Sequence, residues 1–426
     1  MREGVTMVFA NFTEAQWFLL GTTFVIALIM GAVVNKTNFC TMGAVSDWVN
    51  MGDTGRFRAW LLAMAIAIIG ALLLEGLGVV NLSDTFPGYR GSNFIWLQNI
   101  LGGVLFGIGM TLGSGCANKN LVRIGGGNIK AVFVVVVMGI FAYFMIFPFP
   151  GSSQTLMSLV FLPWMQSFNV QLATNQDLGS LVSAHHALTA RLWIGGILAA
   201  GLLAFIFKSR DFRGSFDNIL GGLIVGLAVV AAWYFSGIVH VKGLFDTVTL
   251  RHYIENWGMM DNPTHAVKPI RSAFMGTQSF TFVNPAGQAM GYIGHGLSKA
   301  FWTFGLVAFA GVIIGSLLWS LVTRSFRIEW FASVGDFVKH VVGAMLMGVG
   351  GVLALGCTIG QGVTGVSTLA VGSFLALASI IFGSALTMKV QLYKMVYEDA
   401  SFAQVLLTSL VDMRLLPKAM RRLEAV

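Results

Sequence analysis

Long apolar runs separated by short polar ones set the rhythm of this chain. Nine of them approach the ~20 mainly apolar residues that one bilayer crossing takes. They lie at about 15–35, 58–80, 94–113, 129–149, 192–208, 217–239, 299–321, 336–354 and 369–390, the fifth being short. Such runs predict helices, because a helix satisfies its own backbone groups where water is absent. The expected fold is an all-α polytopic membrane protein with about nine transmembrane helices. Beyond them, Val405 to Leu423 is apolar with a basic face, which predicts a helix lying on a membrane surface.

Composition agrees. The chain is 56% apolar and 10% charged, where soluble domains carry about 25% charged residues. Mean hydropathy is +0.78. The formal net charge of +8 reads as topological charge beside a bilayer, so no nucleic acid partner is expected. Let face A be the side of the N-terminus and face B the other. Alternation through nine spans delivers Lys36, Arg56 and Arg58 to face B, then Lys119, Arg123 and Lys130, then Lys208, Arg210 and Arg213. Arg324, Arg327, Lys339 and the basic C-terminal tail follow. Short face A segments hold Arg2, Arg90 and Arg191. The positive-inside rule then puts face B and the C-terminus in the cytoplasm and the N-terminus outside. The first run, Trp17 to Val34, is long enough to span and lacks a basic flank ahead of it, so it reads as a span and not as a cleavable leader.

Glycine makes up 52 of 426 residues, and it gathers in two stretches. One is GGVLFGIGMTLGSGCANKNLVRIGGG, from Gly102 to Gly127. The other is GAMLMGVGGVLALGCTIGQGVTGVST, from Gly343 to Thr368. They align without a gap at an offset of 241, with Gly102 on Gly343, Gly109 on Gly350, Gly115 on Gly356 and Cys116 on Cys357. The one other cysteine, Cys40, ends a polar run after the first span and has no cysteine partner in the second half. Span three runs from A to B and span eight from B to A, so the copies are inverted. Inverted repeats recur in transporters, with the site where broken helices meet near the midplane. The expected division is 1–190 with the Cys40 and Cys116 segments, 191–398 with the Cys357 segment, and 399–426 as a cytoplasmic amphipathic tail. Three scattered cysteines make no CxxC pair and no zinc spacing, which argues against a metal centre or disulfide framework. No nucleotide motif is present, and no cofactor is expected.

The residues after Gly115-Cys116 and Gly356-Cys357 are too polar for a lipid-facing helix. Irregular backbone at membrane depth persists only inside protein or beside a wet cavity, so each segment is expected to stop, turn and re-enter as a re-entrant helix. Helix N-termini at such breaks favour an anion, and Asn118, Thr358, Gln361 and Thr364 add donors. An unperturbed thiol, with a pKa of about 8.5, is mainly S–H at neutral pH. It is a weak donor and a soft, polarizable contact. Weak sequential sites suit conduction, whereas a thiolate would repel an anion. Plainer readings stand beside these. A single cysteine is commonly a buried packing residue. Gly103 and Gly107 suit helix packing. Lys119 and Arg123 are topology determinants, and Glu75, near the outer end of span two, can reach water.

On Asn38-Phe39-Cys40, on Gly115-Cys116-Ala117 and on Gly356-Cys357-Thr358-Ile359-Gly360-Gln361-Gly362, with Ser279 to Pro285 in addition, the chain resembles the YeeE/YedE sulfur-transport family. The resemblance runs from about Trp17 to Lys389. It implies a bacterial inner-membrane protein of hourglass-like, pseudo-twofold shape. It further implies that Cys40, Cys116 and Cys357 relay thiosulfate along a central path by S–H contacts. Long outer segments at 150–190 and 240–298 depart from the family pattern. The expected function is therefore uptake of thiosulfate or a related inorganic sulfur anion, with no catalysis, in contact with the lipid bilayer and with a cytoplasmic sulfur-handling protein. Three alternatives remain: a carrier of a selenium-containing or other small sulfur species, a membrane thiol or sulfur-transfer enzyme, and a membrane subunit that mainly recruits a partner through the long outer segments. The missing CxxC and the lack of a haem or quinone constellation weigh against the enzyme.

Overall fold

The computed structural model describes residues 6–244, 246–260, 262 and 266–424; Arg2 of the charge count lies outside them. Helices α1 Phe12–Thr37, α2 Thr41–Ser46, α3 Gly55–Gly76, α4 Trp96–Leu112, α5 Ala117–Gly125 and α6 Ile129–Ile146 come first. The short α7 Leu162–Met165 and α8 Leu178–Val182 lead to α9 Ala187–Phe207 and α10 Arg210–Gly214. Then follow α11 Phe216–Ile238, α12 Leu250–Glu255, α13 Val283–Gly294, α14 Phe304–Val322 and α15 Val334–Leu353. A π-helical turn, Gly360–Gly365, precedes α16 Val371–Val396 and α17 Phe402–Asp412. Among the described residues nine helical stretches are long and apolar enough to cross a membrane. They coincide with the nine apolar runs; the fifth, α9, is a full 21 residues. The chain is an all-α polytopic membrane protein. Its sheets are small: β1 Met7–Phe9, β4 Val239–Lys242 and β5 Thr247–Thr249 form one, and β2 Asn93–Ile95 with β3 Asn169–Gln171 the other.

Apolar surface cannot drive helices together in lipid, so close approach through small residues does. The seam between α4 and α15 shows this. A Cβ on Gly102 would meet Gly350 O at 2.8 Å, and one on Gly350 would meet Gly102 O at 2.7 Å. A Cβ on Gly109 would meet Gly343 O at 2.6 Å, and one on Gly343 would meet Gly109 O at 2.7 Å. Adding 241 to 102 and 109 gives 343 and 350, so exchanging the two copies maps one contact onto the other. This is the signature of a twofold, self-complementary interface, and its antiparallel register makes the copies inverted.

The same exchange extends outward. Helix α1 packs on α14 as α11 packs on α3, and α4 packs on α16 as α15 packs on α6. Four spans of each half are thereby matched, and α9 stands outside the exchange. Loop contacts keep the two faces distinct. β1 joins β4, and Phe86 bridges Gln278, on face A. Asn128 bridges Glu329, and Lys130 pairs with Asp336 at 2.8 Å, on face B.

Glu75 differs from its expectation. It is buried, not in water, because the polypeptide supplies its partners. Arg90 Nη1 and Nη2 donate to Glu75 Oε1 and Oε2 at 2.6 and 2.8 Å. Arg191 lies 3.6 Å from Glu75 and 3.3 Å from Asp177. The terminal helix is also shorter than the 405–423 pattern suggests. α17 ends at Asp412, and its Val405, Thr408, Ser409 and Val411 are buried.

Candidate anion path

Both glycine-cysteine frames break a helix by one device. In α4 the break is closed by Gly115 N donating to Met110 O at 2.9 Å and Ser114 N to Thr111 O at 3.3 Å. In α15 Gly356 N donates to Gly351 O at 2.8 Å and Leu355 N to Val352 O at 3.1 Å. The left-handed residue of each turn is Ser114 (φ 55°) or Leu355 (φ 59°). This is the hydrogen-bond pattern that ends helices through a left-handed C′ residue. Every one of these positions is its counterpart plus 241.

The cysteine comes two residues later and starts the next short helix. Cys116 caps α5 in extended conformation. Cys40 caps α2, accepting from Gly43 N at 3.4 Å. Cys357 accepts from Gly360 N at 3.4 Å, at the entry to the π-helical turn. An amide then braces each break from the following turn: Asn120 Nδ2 donates to Gly115 O at 2.8 Å, and Gln361 Nε2 donates to Ala354 O.

The structure brings the predicted residues together selectively. Cys40 and Cys116 face each other thiol to thiol. Cys116 also faces the Thr358 hydroxyl, with Cys357 close behind. Cys357 in turn faces Thr281. All three cysteines are free and buried. Gly115 and Gly356 form the turns, and both are buried. Asn118 is buried just after Cys116, while Thr364 is turned away, donating to Phe280 O at 2.7 Å.

Buried polar atoms normally find partners, and exceptions call for an explanation. Among the described residues, Thr41 Oγ1, Asn118 Oδ1, Thr281 Oγ1, Thr358 Oγ1 and Gln361 Oε1 are buried without a well-formed hydrogen bond. They flank the three cysteines in sequence or face them in space. Tyr89 adds an unpartnered buried hydroxyl; burial, with Cys357 nearby, pushes its phenol well above the ordinary value and keeps it a donor.

Two cavities lie on the face B side of the cysteines. A cavity of about 270 Å³ is lined by Asn35, Asn38, Lys119, Arg123, Arg327 and Glu329 among others. A second, of about 150 Å³, adds Ser114, Lys130 and His340. Lys119 donates to Asn38 Oδ1 at 3.0 Å, beside Cys40, and neither it nor Arg123 is in an ion pair among the described residues.

Sequence reading missed Asn120 and Thr281. The signal was present, since Asn120 falls on Gln361, and Phe39-Cys40 falls on Phe280-Thr281, all at the offset of 241. The position opposite Cys40 is a threonine and not a cysteine, so the repeat is chemically unequal there.

A family model described as sulphur transport matches residues 36–386. The thiosulfate transporter TsuA of Spirochaeta thermophila is 24% identical over 373 residues, covering 86% of this chain and 97% of that protein. The thiosulfate transporter TsuA of Escherichia coli is 21% identical over 363 residues, covering 83% and 90%. These relatives are transporters, not enzymes, and the match spans both cysteine frames. The chain belongs to the sulphur-transport family.

Proposed function

We propose that this chain takes up thiosulfate, or a closely related inorganic sulfur anion, across the bacterial inner membrane. The path runs past Cys357, Cys116 and Cys40, with Gly115, Gly356, Asn118, Thr358 and Gln361 forming its walls. One observation carries the reading: a contiguous file of thiols and hydroxyls lies where two inverted helix breaks meet, edged by buried polar atoms without well-formed hydrogen bonds. Thiosulfate has a soft terminal sulfur and hard oxygens. Thiols suit the first, and hydroxyl and amide groups the second. Neutral thiols bind weakly enough to let go, as a conducting site must. The basic vestibule at Lys119 and Arg123 draws the anion off on face B, which the positive-inside rule makes cytoplasmic. A cytoplasmic sulfur-handling protein would receive it there.

The test is initial uptake of radiolabelled thiosulfate by the purified chain in liposomes. Wild-type uptake above empty liposomes is expected, and Cys116→Ala or Cys357→Ala is expected to abolish most of it. No wild-type uptake would sink the thiosulfate reading. Unchanged uptake by both variants would return these cysteines to packing. Competition with selenium-containing and other sulfur anions separates the alternative cargoes.

A further inference from the structure

Exchange of the halves carries the Cys40–Cys116 contact onto Thr281–Cys357, because 40 and 116 become 281 and 357. Cys40 stands at the head of α2 with its thiol on Cys116. Thr281 stands just before α13 with its hydroxyl on the Cys357 thiol. The first pair is two soft donors; the second is one hard and one soft. Thr281 is 7% exposed, yet its Oγ1 makes no well-formed hydrogen bond among the described residues. Its hydroxyl and Cβ press on Gly360, where an added Cβ would meet Thr281 Oγ1 at 2.5 Å and Thr281 Cβ at 2.8 Å. Gly360 falls on Lys119 at the offset of 241, so the second half carries a glycine and no cation at this place. Thr281 also lines a narrow cleft with Phe86, Ser279, Asn284 and Gln288, of about 10 Å³, roughly the room of one water. The cleft lies on the face A side, where Phe86 bridges Gln278.

We propose that Thr281 is a fourth station of the path and its specificity-determining residue. Its hydroxyl donates to a sulfonate oxygen of the entering anion while the Cys357 thiol meets the terminal sulfur. This rests on the thiosulfate reading. A hydroxyl is a firmer donor than a thiol, and its bond to an anionic oxygen is charge-assisted. A site with one donor of each kind reads both ends of an anion whose ends differ. The Cys40–Cys116 pair, which has a thiol at the position where the second half has the Thr281 hydroxyl, passes the anion on to Lys119. The two ends of the path therefore divide recognition from release.

The test compares wild type with Thr281→Val and Thr281→Ser in the liposome assay, with thermal unfolding in detergent as a check on folding. Val keeps the shape and removes the donor; Ser keeps the donor. Thr281→Val is expected to lower uptake at sub-saturating thiosulfate about tenfold or more, the worth of one hydrogen bond to a charged group. Thr281→Ser is expected to stay within about threefold of wild type, since the donor remains. A stable Val variant with wild-type uptake, or a Ser variant as weak as Val, overturns the proposal. Failure of the thiosulfate reading looks different, because wild type then moves no thiosulfate. In that event the station is read from Thr281→Cys, in a background with Cys40 and Cys116 replaced by Ala. A disulfide to Cys357 on copper-phenanthroline oxidation supports the placement, and its absence overturns it.

Discussion

At the scale of single residues, the face A ends of the helices are held by buried charges, among them Glu75, which the sequence alone left free to reach water. Arg90 is almost fully buried, binds Glu75 with both terminal nitrogens, and donates from Nε to Thr368 O at 2.8 Å. Thr368 ends the segment that begins at Cys357, so this arginine ties a face A loop to the far side of the second break. Removing one partner of a buried pair strands the other's charge, at a cost of about 3–5 kcal/mol. Arg191 still faces Glu75 at 3.6 Å, so Arg90→Met is expected to destabilise the protein by up to about that much, measured by denaturant or thermal unfolding in detergent. Replacing both Arg90 and Glu75 by apolar residues is expected to cost less than Arg90→Met alone. If the single variant is as stable as wild type, the ion pair is not what holds this loop.

At the scale of elements, the α4–α15 seam makes a sharper claim. Gly109 and Gly343 each leave room for the other's carbonyl. Gly109→Val and Gly343→Val are each expected to cost about 1–3 kcal/mol by overpacking. Because both variants force the same two helices apart, the double variant is expected to cost less than the sum, a non-zero coupling in a double-mutant cycle. Gly201 lies on α9 with nothing near its missing Cβ, and Gly201→Val is expected to change little. Additive costs at 109 and 343 would refute the shared seam. Helix α9 has a different role. Four spans precede it and four follow it, all matched in pairs. A fifth crossing makes the second set start from the opposite face. Without it the two copies would run parallel, and their breaks would not meet head to head.

At the scale of the whole molecule, the charges beside the thiols bear on energetics. Lys119 donates to Asn38 beside Cys40 and lines one cavity with Arg123; these two cations suit an unaccompanied anion. A dianion moving inward against 100 mV, negative inside, meets about 4.6 kcal/mol. That is roughly a 2,000-fold change in its accumulation ratio. Uptake by the chain alone is thus expected to be electrogenic. In liposomes with a valinomycin-set potassium potential, an inside-negative potential should suppress accumulation and an inside-positive one raise it. Indifference to potential would mean that cations travel with the anion. Much of this architecture was legible beforehand. Hydropathy determined nine helices, because lipid leaves a spanning backbone no other way to satisfy its polar groups. The Gly-Cys frames and the alternation of faces determined an inverted pair, because glycine spacing and basic loops are written locally. Only the tertiary structure decided that Cys40 meets Cys116, that Cys357 meets a threonine, and that Glu75 is paired. Those contacts join residues 76, 76 and 15 positions apart in sequence, through approaches that depend on how broken helices and loops pack. Short-range periodicity holds no record of them, and the physical reason is that a buried polar group is explained by its partners and not by its neighbours in the chain.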